Sequence, residues 1–402
     1  MISVSEALDK ILGSATTLEK TVVPIEDALS YTLINDIKAD RPIPPFNRVA
    51  MDGFAINSSD FKNKTAVDLQ IAGRIQTGVK SGLIIYPGQA AQIMTGAPCP
   101  EGADAVIKIE DATINGDMVH LVAKKAKPGL NIAPMGEDAE EGKVLIEAGS
   151  PLTTAGIAIC ASVGIHEVPV YRKPKIKIIS TGTEIIPPSE TPLPHQIRDC
   201  NSFTLRVMSQ LQNIEATFLG IGEDDLSLLG SMIHDGLDAD ILILSGGVSM
   251  GEFDHVPKLL ESNGVKNIFH RIKVKPGKPV WFGKTETTYV FGLPGNPVSV
   301  QTCFRIFVEP LIKKLSGSKS PRHKFLKLPL AEDSISKANR EHYMPGKLVI
   351  KDGWSAIEPV LIRGSGDYSN FEKSHGLFIF PAEIDLMNRG EMVDFLPWRE
   401  IW

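Results

Sequence analysis

Paired cysteines are missing from this chain: its four cysteines stand at positions 99, 160, 200 and 303, with no C-x-x-C among them. That spacing signals neither a zinc ribbon nor a disulfide framework, and it fits a reducing cytoplasm. Long apolar runs are missing too, since none approaches the roughly 20 residues that a membrane helix needs. No charge of one sign dominates. With 42 Lys and Arg against 48 Asp and Glu, the net charge of -6 gives no polybasic surface for nucleic acid or membrane, so any basic site must be local. The nine histidines are scattered, with neither H-x-H nor H-E-x-x-H, and no G-x-x-x-x-G-K-[ST] is present. A zinc protease and a P-loop nucleotidase are therefore unsupported.

What is present is an ordinary globular composition, 43% hydrophobic and 22% charged. At roughly 100 to 200 residues per domain, 402 residues favour two to four domains. Ser3-x-x-Glu6 followed by Ala7, Leu8, Ile11 and Leu12 reads as a capped amphipathic helix rather than a signal peptide. Residues 41–140 are dense in Gly and Pro and broken into short apolar runs at 89–94, 105–109 and 118–122, which argues a mostly β module. A helix is expected over 153–163.

From residue 175 the period changes. Apolar runs at 176–180, 214–220, 240–244 and 288–291 read as buried strands, with helical patterns at 203–211, 226–237 and 298–315. Alternation at this spacing predicts a parallel, doubly wound sheet. A polar linker follows at 316–321. Short strands at 324–330, 347–350, 377–380 and 392–395 then suggest a small terminal β-barrel or sandwich.

In such a sheet, ligands sit outside the carboxyl ends of the strands. Thr181, Gly182, Thr183 and Glu184 follow the first strand, and Glu223, Asp224 and Asp225 the second. Ser245, Gly246, Gly247, Ser249 and Asp254 follow the third, and Pro294, Gly295, Asn296 and Pro297 the fourth. Hydroxyls and bare backbone N–H groups suit phosphate oxygens, and carboxylates beside phosphate make sense when Mg2+ neutralises both. Any one of these turns could equally be a helix cap. Four together point to a Mg2+-phosphate crevice. Lys275-Pro-Gly-Lys-Pro279 adds two ammonium groups on a rigid turn, suited to an oxyanion. Lys273, two residues earlier, reads more simply as a solvated strand face, and among histidines that otherwise read as surface or core residues rather than metal ligands, His255, beside Asp254, is the one mild exception.

Seven motifs, in order along nearly the whole chain, resemble the molybdopterin molybdenumtransferase family, called MoeA in bacteria and related to the catalytic domain of gephyrin. They are Ala50-Met-Asp-Gly-Phe-Ala55, Ile93-Met-Thr-Gly-Ala-Pro98, Gly136-Glu-Asp138, Ser180-Thr-Gly-Thr-Glu184, Ser245-Gly-Gly-Val-Ser-Met-Gly251, Lys275-Pro-Gly-Lys-Pro279 and Gly292-Leu-Pro-Gly-Asn-Pro-Val-Ser299. The resemblance implies a multidomain α/β plus β fold. Its parts would be a discontinuous dimerisation domain (1–40 and 141–171), an inserted β-rich domain (41–140), a molybdopterin-binding doubly wound α/β domain (172–318) and a C-terminal β-barrel (319–402). It also implies a homodimer with sites across the subunit interface, to which Asp52, Thr95 and Asp138 would contribute.

The reaction so implied takes adenylylated molybdopterin and molybdate, with Mg2+, and releases AMP. By position, Asp138, Glu184 and Asp224 would be the metal-associated carboxylates, supported by Asp52 and Asp254, with Asp225 the rival of Asp224. Thr95, Thr183, Ser245, Gly246, Gly247, Ser249, Lys275, Lys278, Pro294 and Pro297 would contact the pterin nucleotide. Arg271, Lys275, Arg340 and Ser369 would hold molybdate, Arg271 standing where some members carry Lys. A molybdopterin adenylyltransferase would supply the substrate, and cofactor-modifying or molybdoenzyme-loading proteins would collect the product. Other readings are an adenylyltransferase, whose fold would resemble 172–318 only, and a non-catalytic gephyrin-like scaffold.

Overall fold

The computed structural model describes residues 1–79, 81–222, 225–248, 255–351 and 353–398. Asp224, Ser249 and Asp254, expected at the site from the sequence, lie outside the described residues. Packing divides the chain into two compact units. The larger comprises Met1–Ile34, Gly149–Thr153 and Val168–Trp402, the smaller Asn35–Ala148 and Thr154–Glu167.

The larger unit is built on a six-stranded sheet in the order Ala216–Gly222, Ile176–Thr181, Ile241–Ser245, Tyr289–Leu293, Trp281–Lys284, Lys266–His270. The four strands expected from sequence pair in parallel. The last two are antiparallel additions, so the sheet is mixed at one edge. Trp281 and Phe282 mark that extra strand, but the Lys-Pro-rich turn before it hides the pattern.

Alternate residues of the central strands feed two cores. Ile176, Ile178, Ile241, Ile243 and Phe291 face the N-terminal helix Val4–Ser14, through Val4, Ala7 and Ile11, together with the residues after Pro297. Ile179, Leu242, Leu244 and Val290 face Leu229, Ile233, Val256 and Leu260 on the other side. A parallel sheet buried on both faces requires continuous apolar strands, and the period of two decides only which core each residue enters.

The N-terminal helix starts with the expected capping box: Ser3 Oγ accepts from Glu6 N–H at 3.1 Å, and the Glu6 carboxylate accepts from Ser3 N–H at 2.7 Å. The helix expected over 298–315 is instead two α segments, Pro297–Cys303 and Glu309–Leu315, joined by a π-turn at Phe304–Val308. Pro310 accounts for the break, because it has no N–H to donate one turn back and its ring crowds that carbonyl.

Beyond this sheet, the strands Val274–Lys275, Glu341–Lys351, Gly376–Phe380, Met392–Pro397 and Leu326–Pro329 follow one another in a second sheet, with Trp354–Pro359 paired to Glu341–Lys351. A bridge between Leu330 and Ile357 curls this sheet into a half-barrel around Met344, Phe378, Phe380 and Phe395. Val274–Lys275 runs parallel to the start of Glu341–Lys351, so the Lys275 turn is hydrogen-bonded into the half-barrel.

The smaller unit carries its own six-stranded sheet, in the order Ala105–Lys108, Gly53–Ile56, Gln89–Ile93, Ala66–Ile75, Met118–Val122, Ala112–Asn115. Phe54, Ile56, Leu69, Ile107 and Leu121 fill one face and Ala55, Ala91, Ile93 and Val106 the other.

Arg172 fastens the entry to the large sheet. Its guanidinium donates to both carboxylate oxygens of Asp240, at 2.6 and 2.8 Å, and its Nε to Glu19 at 2.5 Å. Asp240 also accepts from Lys175 N–H at 2.7 Å. Burial opposes ionisation of Asp240, yet these partners hold its carboxyl below the ordinary carboxylate range. A depressed carboxyl stabilises the fold above its unfolded pKa and loses that contribution as pH falls through the folded value. Asp240→Asn is therefore expected to lower stability by about 2–3 kcal/mol at pH 7, a difference that shrinks below pH of about 4. Thermal melts of both proteins from pH 7 to pH 3 would check this; an equal difference at every pH would contradict it.

Candidate active site

The carboxyl ends of the parallel strands surround a pocket of about 350 Å3, lined by Thr181, Gly182, Glu184, Asn201, Ser245, Gly246, Gly247, His255 and Asn296, among others. Its walls approach closely because three glycines take backbone angles that side chains disfavour. Gly182, Gly246 and Gly247 have φ of +138°, +100° and +64°. A Cβ on Gly246 would lie 2.6 Å from the Thr181 carbonyl oxygen, and one on Gly247 would lie 2.7 Å from Val256. The Gly246 N–H is spent on Leu293 O at 3.0 Å, which ties the third strand's turn to the fourth strand's end. Two helices, Asn201–Gln210 and Leu226–Gly236, begin at the pocket and bring the positive ends of their dipoles to it.

One amide orders the polar floor. Asn201 Nδ2 donates to Ser245 Oγ at 2.9 Å and to Gly295 O at 2.7 Å, joining the turns after the third and fourth strands. Beside it the buried Asp199 accepts from Ser180 Oγ at 3.0 Å and from Ser202 N–H at 3.1 Å. Asn201, Asp199 and Ser180 are not among the candidate ligands read from sequence, whereas His255, the mild exception among the histidines there, does line the pocket. Asp199 and Asn201 did carry a signal, polar cap-forming residues just before an amphipathic helical run.

Of the expected nucleotide-binding residues, Ser245, Gly246 and Gly247 line the pocket, Pro294 and Pro297 flank the lining Gly295 and Asn296, and Thr183 is exposed beside Glu184. The Glu184 carboxylate is exposed at the rim, and among the described residues no hydrogen bond or ion pair engages it. Asp225 is committed locally: its carboxylate caps Leu226–Gly236, accepting from Ser227 and Leu228 N–H at 2.8 and 3.1 Å. Among the described residues no group of three or more His, Cys, Asp or Glu side chains could hold a metal by itself.

The basic residues fall into a second cluster of the same unit. Lys275 and Arg340 are neighbours, with Arg340 Nη1 donating to Val274 O at 3.3 Å. Arg271 sits at φ +71° and its N–H bonds Val280 O, while Lys278, exposed, accepts Ile272 N–H through its carbonyl. Lys273 is exposed, as expected of a solvated face. Ser369 lies in a separate open hollow with Arg363, Asp367 and Asn370, where its hydroxyl donates to Asp367 at 3.0 Å. Asn296 links that loop to the pocket through Ser365 Oγ at 2.7 Å.

In the smaller unit, Asp52 accepts from both Thr95 N–H and Thr95 Oγ1, at 2.7 and 2.8 Å, which holds its exposed carboxyl below its ordinary range. Gly53 follows because a Cβ there would strike the Ile107 carbonyl oxygen. Asp138 is exposed, its N–H bonded to Ile43 O at 2.9 Å.

The sheet and its strand-end pocket define an α/β protein that carries additional β modules. Residues 2–164 match the family described as MoeA N-terminal region (domain I and II), 177–314 a probable molybdopterin binding domain, and 327–398 the MoeA C-terminal region (domain IV). A protein of Haemophilus influenzae named molybdopterin molybdenumtransferase is 34% identical, with all of both chains covered. One of the same name from Staphylococcus epidermidis is 29% identical over 98% of this chain and 95% of its own. A solved molybdopterin biosynthesis MoeA protein of Pyrococcus horikoshii OT3 superposes with a TM-score of 0.81 at 29% identity, covering 98% of this chain and 99% of that one. The chain belongs to the MoeA family of molybdopterin molybdenumtransferases.

Gly246→Ala is expected to weaken binding of pyrophosphate, the probe anion, at least about tenfold by forcing the turn off Thr181. Calorimetric titration alongside circular dichroism would measure it; unchanged affinity in a folded variant would contradict the close-approach role.

Proposed function

We propose that the protein inserts molybdenum from molybdate into adenylylated molybdopterin, releasing AMP and leaving the metal on the pterin dithiolene. The observation that carries this reading is one folded unit holding both an anion pocket built from strand-end glycines and a cation pair, Lys275 with Arg340, that no carboxylate neutralises among the described residues. The pocket suits a pyrophosphate. The cation pair suits a tetrahedral dianion held by charge-assisted hydrogen bonds, with Arg271 and Ser369 as further contacts.

Within the pocket, Asn201 fixes the turns after the third and fourth strands, so their polar groups are placed before substrate arrives. Ser245, Gly246, Gly247, Thr183 and Ser249 are the contacts for the nucleotide, with Pro294, Pro297 and Lys278 at its margins. The donor chemistry fits Mg2+. That ion takes one or two carboxylates and completes its shell with phosphate and water, and Glu184 presents an unengaged carboxylate at the rim. Glu184, Asp224 and Asp138 would hold it, and bound there it screens the charge of the anhydride. The capping duty of Asp225 supports Asp224 as the acidic residue of that pair. Asp254 would support the same edge.

The reading includes a homodimer of four-module subunits, divided as 1–40 with 141–171, 41–140, 172–318 and 319–402. The inserted module of one subunit would bring Asp52, Thr95 and Asp138 to the pocket of the other, and the Thr95 hydrogen bonds that order Asp52 support it as a prepositioned carboxylate. The setting is a reducing cytoplasm. An adenylyltransferase supplies the substrate and molybdoenzyme-loading proteins take the product.

Glu184→Ala is expected to lower AMP release at least about 100-fold with thermal unfolding unchanged, because the side chain is exposed and, among the described residues, no hydrogen bond or ion pair engages it. Turnover equal to the wild type at saturating Mg2+ would remove Glu184 from the site.

A further inference from the structure

His342 belongs to none of the motifs that carry the family resemblance, yet it stands beside the cation pair. The parallel register of Val274–Lys275 with Glu341–Lys351 places His342 against Lys275, and its antiparallel neighbour on the other side is Phe380. Arg340, two residues before it, reaches back to the Val274 carbonyl at 3.3 Å. The imidazole is buried, and its Nδ1 shares a 2.8 Å hydrogen bond with Ser336 Oγ, itself buried. Burial, then the charges of Lys275 and Arg340, push His342 down to about 3, so the ring is neutral at pH 7.

Lys275 and Arg340 are thus left with a hydrogen-bonding neighbour that adds no charge of its own, and among the described residues neither has a carboxylate partner. Adjacent uncompensated cations repel, and an anion between them relieves that repulsion in proportion to its charge. A carboxylate in place of the imidazole would cancel one cation from within. We infer that His342, anchored by Ser336, is a specificity residue of this seat: by keeping both cations uncompensated, it makes the seat select a fully ionised tetrahedral dianion over a monoanion of the same shape. This inference rests on the proposal that Lys275 and Arg340 hold molybdate.

The test is calorimetric titration of the full chain with molybdate and with perrhenate, which is tetrahedral but singly charged. Wild type and His342→Gln are expected to prefer molybdate by at least about tenfold. His342→Glu is expected to lose most of that preference, with perrhenate affinity changed much less. Ser336→Ala should weaken molybdate binding while keeping the preference, because the ring stays neutral but loses its anchor. If folded His342→Glu discriminates as the wild type does, the role of His342 is overturned. Lys275→Gln separates the two claims: molybdate affinity unchanged in that variant would overturn the oxyanion seat itself.

Discussion

The closeness of Gly246 to the Thr181 carbonyl is the constraint on which the rest of the site depends. A methyl group there would sit 2.6 Å from that oxygen, so the third strand's turn can lie against the first strand's end only while the residue is glycine. From that contact follow the bond from Gly246 N–H to Leu293 O, the placement of Ser245 Oγ under the Asn201 amide, and the reach of the same amide to Gly295. Three strand ends are thereby drawn around one volume into which two helix N-termini open. The packing that fixes the strands, with alternate residues entering two separate cores, leaves no freedom for the turns to relax apart.

A second consequence of the fold is that the basic cluster is not a loop ornament. Val274–Lys275 is hydrogen-bonded into the half-barrel, so Lys275, Arg340 and His342 are held by sheet register rather than by a surface turn. The Asn296 to Ser365 bond likewise ties a half-barrel loop to the pocket's lip. Pocket and cation cluster are parts of one packed body, which suits chemistry that must bring a large anionic substrate and a small oxyanion together.

Much of this was legible in the sequence, for physical reasons. Strands buried on both faces announce themselves as apolar runs, and glycines, hydroxyls and carboxylates after those runs announce the strand ends, so the pocket could be placed at Ser245, Gly246, Gly247 and Glu184. The N-terminal helix was readable because Ser3 and Glu6 stand at capping-box spacing. The antiparallel edge strands were not, since a turn rich in Lys and Pro precedes Trp281 and nothing in a local pattern reports pairing direction. Asn201 and His342 escaped for another reason: their neighbours Ser245 and Lys275 lie 44 and 67 residues away in sequence, and only tertiary register brings them together. The break before Pro310 could have been read from the proline, but the apolar pattern runs straight through it.

The most direct measurement is an anaerobic assay of the purified full chain with adenylylated molybdopterin, Mg2+ and molybdate, following AMP and pterin-bound molybdenum in the same samples. The account predicts that both products rise together, one AMP for each metal placed. AMP released with no metal on the pterin, or neither product at saturating substrates, would contradict it.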